Sequence, residues 1–504
     1  METLTHILNG FAVCLQPINL WYTFVGVFLG TIIGVLPGIG PSAGIALLIP
    51  VTFGMNPTSA LIMMAGIFYG TKYGGSTTSI LIRTPGEAAS VMTSIDGYEM
   101  AKKGRAGAAL AVSAIGSFIA GTIGVVALTI FAIPLASMAL KFGPAEYFTL
   151  MLFAMTAVAS LTGSSPAKGM LSATLGLMIA TIGIDLQSGQ PRYTFGVPEF
   201  QDGVGFVVVV VGLFAVSEVF RGMEDVYRGT AADMIKIKGR LWLTREEWQR
   251  SIGPIWRGGI IGFIIGVLPG AGGTIASILS YTTEKRLSKH PEEFGHGAIE
   301  GVAGPEAANN ADTAGAMVPL LTLGVPGGGA TAVLLGAFIM YGIQPGPLLF
   351  QNRPDLVWGL VDSMYVGNVM LLILNLPLIG IFVRLLYIPS GILYPLIVSI
   401  SVIGAYAING SMTDLYLILF FGVVGYVFDK VDIPVAPLVL SLVLGGMMEQ
   451  SFRQAMTISG GNPQIFVGSV ITVSLVVLSV ISVLTPFFLA RFKAFKNAAP
   501  AEAD

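Results

Sequence analysis

Apolar residues run along this chain in long unbroken stretches, with little of the short alternation that marks strands in a soluble sheet. Segments 21–36, 106–133, 204–220, 369–386 and 467–489 each approach the roughly 20 residues a helix needs to cross a hydrocarbon core. One or two such segments would make an anchor. Their recurrence predicts an all-α polytopic integral membrane protein, with about ten to twelve transmembrane helices plus two re-entrant or broken helical hairpins. Polar residues collect in a few places, the longest being 221–257, where Arg228, Lys236, Lys238, Arg240, Arg245 and Arg250 mix with Glu224, Asp225, Glu246 and Glu247. This stretch divides the chain into an N-terminal lead-in (1–18), a first transmembrane repeat (19–220), a cytoplasmic polar linker (221–257), a second transmembrane repeat (258–490) and a cytoplasmic tail (491–504).

Composition sharpens that reading. Hydrophobic residues make up 54% of the chain and charged residues 11%, and the mean hydropathy is +0.80, so lipid is the expected main solvent. The 65 glycines and 28 prolines suit close helix contacts and interrupted helices, and favour transport over a passive anchor. A net charge of -2 gives no global field that would attract nucleic acid. The single Cys14 excludes an internal disulfide, and with three scattered histidines it argues against a Cys/His metal centre. No cofactor is expected. The N-terminus has no Lys or Arg before its apolar part and no small-residue cleavage site, so it does not read as a removable signal peptide.

The most informative pattern is internal similarity. Ile32-Ile33-Gly34-Val35-Leu36-Pro37-Gly38-Ile39-Gly40 returns as Ile264-Ile265-Gly266-Val267-Leu268-Pro269-Gly270-Ala271-Gly272, one substitution apart. Thr84-Pro85-Gly86 within 79–90 likewise answers Val325-Pro326-Gly327 within 320–331. The chain thus reads as two related halves. Lys and Arg in short loops mark the cytoplasmic side, and the basic loops at 102–105 and 285–289 align with loops of the other half that lack such charge. An inverted-topology repeat around a shared midplane site is the arrangement that follows.

Candidate chemistry lies where the apolar runs break. Pro removes a backbone donor and Gly relaxes the geometry, so the paired breaks at 37–40 and 269–272 free backbone polar groups. In hydrocarbon such groups must face protein, ions or water, which makes Gly38, Gly40, Gly270 and Gly272 candidate ion-binding positions; a structural kink is the plainer alternative. The pattern Gly38-Ile39-Gly40-Pro41-Ser42-Ala43 also fits a dinucleotide fingerprint, but without the required strand before it and acid after it.

A second pair of segments is richer in polar groups. Tyr69-Gly70-Thr71-Lys72-Tyr73-Gly74-Gly75-Ser76-Thr77-Thr78 leads to Arg83 and Pro85-Gly86-Glu87, and Asn309-Asn310-Ala311-Asp312-Thr313 leads to Pro326-Gly327-Gly328. Each reads as a helical hairpin with an opened tip. Lys72, Ser76, Thr77, Thr78, Arg83, Asn309 and Asn310 are the candidate substrate contacts, and Asp312 and Gly327 join the ion-binding set, because hard oxygens suit alkali cations and free amides suit carboxylates. Arg83 could clamp a substrate carboxylate bidentately or pair with Glu87 four residues on. The equivalents of Arg83 and Glu87 in the second half are Gly324 and Gly328, so the first half would supply the cationic recognition and the second the oxygen-rich coordination.

With these motifs in view, the chain resembles the large membrane subunit of the tripartite tricarboxylate transporters over nearly its whole length. The resemblance is carried by Gly34-Val35-Leu36-Pro37-Gly38-Ile39-Gly40-Pro41, the Tyr69 to Thr78 run, Pro85-Gly86-Glu87, Gly97-Tyr98-Glu99-Met100-Ala101-Lys102-Lys103-Gly104-Arg105 and the second-half Gly-Val-Leu-Pro-Gly and Gly-Val-Pro-Gly-Gly. It implies a substrate-translocating subunit, not an enzyme, in the bacterial inner membrane. It further implies symport of citrate-like di- or tricarboxylates with Na+ or H+, alongside a small membrane subunit and a periplasmic solute-binding protein. An anion channel, or a permease for another small organic solute without cation coupling, is the alternative. Whether the chain forms a homo-oligomer is left open.

Overall fold

The computed structural model describes residues 2–36, 39–161, 165–185, 188–228, 235, 237, 240–386, 388 and 390–498. The chain opens with α1 (Glu2–Cys14), α2 (Pro17–Val35), α3 (Pro41–Leu48), α4 (Pro57–Ile82), α5 (Val91–Met100) and α6 (Ala106–Ala139). It continues through α7 (Pro144–Leu161), α8 (Pro166–Ala180), α9 (Phe206–Val210) and α10 (Ser217–Arg228). The second half holds α11 (Arg245–Val267), α12 (Gly272–Leu287), α13 (Glu300–Leu323), α14 (Gly329–Met340), α15 (Leu349–Asn352) and α16 (Pro354–Asn375). The last helices are α17 (Ile379–Leu385), α18 (Ser390–Asn409), α19 (Met412–Lys430), α20 (Ala436–Ile458) and α21 (Val470–Ala498). Against this stands one two-residue β-hairpin, Gly183–Ile184 with Pro191–Arg192, among the described residues.

Among the described residues, six helical stretches are long and apolar enough to cross a membrane, one of them within Ala88–Ala139, where Gly104 at φ +78 kinks the chain between α5 and α6. This is the expected all-α polytopic membrane protein. Five further helices reach spanning length at 1.5 Å per residue, α4 with 26 residues, α11 with 23, α13 with 24, α20 with 23 and α21 with 29. They fall outside the apolar six. Two of them, α4 and α13, carry most of the polar candidates, and that polarity lowers their hydropathy.

The helices form two compact units that do not follow the division at the linker. The larger holds residues 1–140 and 205–427, and the smaller holds 141–204 and 428–504. In the smaller unit α7 and α8 pack on α20 and α21, and the Arg453 and Arg192 guanidiniums meet the Asp185 and Glu449 carboxylates.

The larger unit is built on two helix pairs, α2 on α4 and α11 on α13. Gly26, Gly30 and Gly34 recur every four residues down one face of α2, so the backbone of α4 can approach until a Cβ at those positions would collide with the carbonyls of Met63, Ile67 and Thr71. In α11, Gly258, Gly262 and Gly266 meet the carbonyls of Gly304, Ala308 and Asp312 in the same way. Small residues at four-residue spacing are how helices associate where lipid removes the hydrophobic drive. The helix ends match as well. Leu36 ends α2 at φ -81, ψ 120 with its amide on the Ile33 carbonyl, and Leu268 ends α11 at φ -83, ψ 121 with its amide on that of Ile265. Both hairpins turn through a left-handed residue, Arg83 at φ 57 and Gly324 at φ 69. Each then starts the returning helical arm of the hairpin with an amide held by a hydroxyl, Glu87 by Ser90 and Gly328 by Thr331. An apolar cluster of α4, α5, α6, α11 and α13 residues, among them Ile80, Met100, Val302 and Ala307, packs between these pairs.

Candidate functional site

The polar residues of α4 and α13 meet in the buried interior of the larger unit. Helix α4 starts on Pro57 at its first turn, with the Asn56 side chain accepting the Thr58 amide, and runs to Ile82. Every residue from Ser59 to Leu81 is buried. Lys72 therefore cannot reach water, and its ammonium lies 2.9 Å from Glu87 Oε2, at the hairpin tip. Asn309 Nδ2 of α13 donates to the other Glu87 oxygen at 2.8 Å. A lone buried ion is costly in a membrane interior, and this triad of ammonium, carboxylate and amide is the kind of pairing that allows one.

Beside the triad, α13 carries polar groups at Glu306, Asn309, Asn310 and Thr313, which share a face by their i, i+3, i+4, i+7 spacing, with Asp312 next to them. All five are buried. Glu306 Oε2 accepts from the Ser76 hydroxyl at 2.5 Å and its Oε1 from Thr93 of α5. Asn310 Nδ2 donates to Ser117 Oγ at 2.7 Å and to the Glu306 carbonyl at 3.0 Å. What remains on this face is a set of oxygens without protein hydrogen-bond partners: Asn309 Oδ1, Asn310 Oδ1, Asp312 Oδ1 and Thr313 Oγ1, with Tyr69 Oη of α4. Buried polar atoms are satisfied in the great majority of cases. Four such oxygens within five residues of one helix mark a place suited to a ligand.

The interrupted segment after α11 closes over this face. Gly270 and Gly272 take φ +83 and +61, the left-handed region that glycine enters without a Cβ clash. The Gly270 amide donates to the Gly327 carbonyl at 2.8 Å, which ties the break to the tip of the second hairpin. A Cβ on Gly273 would lie 3.0 Å from both Asp312 Oδ2 and Lys72 Nζ, so the first turn of α12 sits directly on the two charges. The N-terminal end of a 16-residue helix carries partial positive charge and faces the carboxylate there.

The structure brings Lys72, Ser76, Asn309, Asn310 and Asp312 together, with Gly270 and Gly327 bonded alongside. Thr77 is buried on the same helix, and the Thr78 hydroxyl is used on the Val35 carbonyl at 2.7 Å, at the end of α2. Gly40 caps α3 in open space and Gly272 is also open. Gly38 lies outside the described residues. Arg83 is not brought to this cluster. It is exposed at the left-handed end of α4, and its guanidinium lies 5.6 Å from the Tyr98 ring centroid, while Glu87 turns to Lys72. The i to i+4 pairing of Arg83 with Glu87 assumes a continuous helix, and the helix ends at Ile82. Sequence reasoning missed Glu306 and Thr93, and it left Tyr69 and Thr313 out of the candidate contacts although both lie in the polar runs it singled out. A polar stripe at 306, 309, 310 and 313 inside an otherwise apolar helix was the available signal.

Comparison with known proteins agrees with this picture. A family model, described as the tripartite tricarboxylate transporter TctA family, matches residues 20–440. The chain is 48% identical over 484 residues to an uncharacterised 52.8 kDa protein in the TAR-I ttuC' 3' region of Agrobacterium vitis, covering 96% of each chain. It is also 50% identical over 223 residues to an uncharacterised protein in the TAR-II ttuC' 3' region of the same organism, covering 44% of this chain and 92% of that one. No solved structure matches the chain. A match across most of the length, with hairpins and glycine-lined helix pairs in the matched region, places the chain in the tripartite tricarboxylate transporter TctA family.

Proposed function

We propose that this chain is the substrate-translocating subunit of a tripartite secondary transporter in a bacterial inner membrane, importing a di- or tricarboxylate of the citrate class by symport with Na+. A small membrane subunit and a periplasmic binding protein complete the assembly. The observation that carries this reading is the run of unpartnered oxygens Asn309 Oδ1, Asp312 Oδ1 and Thr313 Oγ1 beside a buried lysine. Hard oxygens, one of them anionic, suit an alkali cation. Lys72 and the second N–H of the Asn309 amide, beyond the one held by Glu87, suit a carboxylate, and a bound cation would offset the repulsion between that carboxylate and Asp312.

The matched backbones of α2/α4 and α11/α13 support an origin of the two halves by duplication, and we read them as crossing the membrane in opposite senses around this site. Broken helices facing each other at one place are the arrangement that secondary transporters use to bind substrate and coupling ion together. A channel needs an unobstructed path, and the first turn of α12 lying on Lys72 and Asp312 speaks against one.

The test is uptake of labelled citrate and related carboxylates by proteoliposomes containing this chain and its small membrane partner, with the cognate binding protein added outside. Saturable uptake that needs the binding protein and an inward sodium gradient is expected. Uptake that ignores both, at a rate linear in substrate, would replace the transporter reading with the channel.

A further inference from the structure

We propose that Glu306 is a proton-carrying carboxyl, distinct from the oxygen cluster at Asn309, Asp312 and Thr313, so that the site loads a proton as well as an alkali cation. Glu306 is 0% exposed. Among the described residues it has no cationic partner, since the one buried ammonium nearby, Lys72, is held by Glu87 at 2.9 Å. A carboxylate at membrane depth without a counter-ion is costly, and taking up a proton removes that cost.

The hydrogen bonds around Glu306 accommodate both protonation states. As a carboxylate it accepts from Ser76 and Thr93. A protonated carboxyl needs an acceptor, and a hydroxyl can become one by turning its own hydrogen elsewhere. Ser76 has that second acceptor in place, the Lys72 carbonyl at 3.3 Å. When a proton arrives on Oε2, Ser76 swings its hydrogen to the Lys72 carbonyl and accepts the new O–H. The proton leaves by the reverse swing, and no polar atom is orphaned in either state.

Apart from Asp312, whose Oδ1 has no protein partner, the titratable groups around the carboxyl have their own partners or carry no charge. Glu87 at the first hairpin tip is paired with Lys72, and Tyr73 of α4 donates to Asn368 at 2.6 Å. Glu284 of α12, against Gly304, is closed by Arg257 of α11. Asp96 of α5 accepts the Tyr281 hydroxyl at 2.8 Å and the amides of Gly295, Gly297 and Ala298. Helix α6 presents the Ser117 hydroxyl, which accepts from Asn310. Asp312, two turns along α13, borders Lys72 through Gly273. Because Glu306 rides on α13 and its donors on α4 and α5, the proton also changes the contact between the two hairpins, which links loading to rearrangement.

This inference rests on reading the site as one that moves cations, but its test needs neither substrate nor partner. Infrared difference spectra of the purified full chain in lipid bilayers, stepped from alkaline to mildly acid buffer at fixed sodium, report the C=O stretch of a carboxyl gaining its proton. The wild type is expected to show such a band, Glu306→Gln to lose it, and Asp312→Asn to keep it. Thr93→Val, which removes the hydroxyl on Oε1 alone and keeps the shape, should shift the band without abolishing it, and it stands in should the glutamine variant not fold. A band that neither change touches, or no titrating carboxyl band in the wild type, overturns the assignment. Failure of sodium-driven citrate uptake would count against the proposed function and leave the infrared result standing.

Discussion

The hairpins that follow α2 and α11 share a backbone and differ in chemistry. In the first, α4 brings Lys72 and the tip brings Glu87, so a cation and an anion neutralise each other at 2.9 Å. In the second, the helix position that presses its carbonyl on Gly266 is Asp312, where the first half has Thr71 against Gly34, and the residue after it is Thr313 where the first half has Lys72. The tip residue matching Glu87 is Gly328. The second hairpin thus has oxygens and no cation. Glycine spacing sets where the helices lie, and a handful of side chains decide whether that place attracts anions or cations.

The largest effect should come from breaking the charge pair. Lys72→Met leaves Glu87 buried without its counter-charge and should destabilise the protein by about 3–5 kcal/mol, whereas Lys72→Met with Glu87→Gln should recover most of it. Thr313→Val, at the equivalent place in the second hairpin, removes no charge and should stay within about 1 kcal/mol. Thermal unfolding of the three variants in one lipid-detergent mixture measures the contrast, and equal losses for Lys72→Met and Thr313→Val would erase it.

Next in size are the glycines. Gly30→Ala places a methyl about on the Ile67 carbonyl and Gly262→Ala on that of Ala308, and overpacking of this kind costs roughly 1–3 kcal/mol. The two should shift the thermal midpoint by similar amounts, since they test one packing device in two places. A large loss in one and none in the other would separate the helix pairs.

A smaller stability effect but a clear functional one belongs to Asp312→Asn, which keeps the shape and removes the charge. The sodium concentration for half-maximal uptake should rise about tenfold or more, equivalent to about 1.4 kcal/mol of lost cation binding. Thr313→Val should raise it only a few-fold. Uptake titrations in sodium at constant ionic strength distinguish them.

Smallest is the pH response of the loop between α12 and α13. Arg250 donates to Glu293 at 2.6 Å and holds its carboxyl below the ordinary range, against the pull of partial burial. A carboxyl whose folded pKa is depressed contributes its full stability above the ordinary unfolded value and loses it as the pH falls through the lower, folded one. Wild type should therefore lose thermal stability slightly faster than Arg250→Gln on acidification. Glu293 is partly exposed, 41% for its side chain, so screening keeps the difference small.

Much of the larger unit could be read from the chain because its devices repeat at short range. The glycines four apart, the Pro-Gly breaks and the polar run on α4 are local patterns, and the hairpin turns fell where those patterns end. The site was legible in its residue types and less so in its partners. Arg83 was expected at the substrate because spacing alone cannot show that Ile82 ends the helix, and a left-handed residue there points the side chain to Tyr98. Glu306 escaped notice because its hydroxyl partners Ser76 and Thr93 lie more than 200 positions away. The compact units were invisible for a similar reason, since each joins segments from both halves of the chain.

Direct binding of radiolabelled sodium to the purified chain in lipid nanodiscs tests most simply whether the second hairpin holds the cation. Saturable binding should keep its affinity in the Lys72→Met, Glu87→Gln double variant and weaken about tenfold or more in Asp312→Asn. Binding of unchanged affinity in Asp312→Asn that is lost in the double variant would move the cation to the first hairpin and contradict the division of roles between the two.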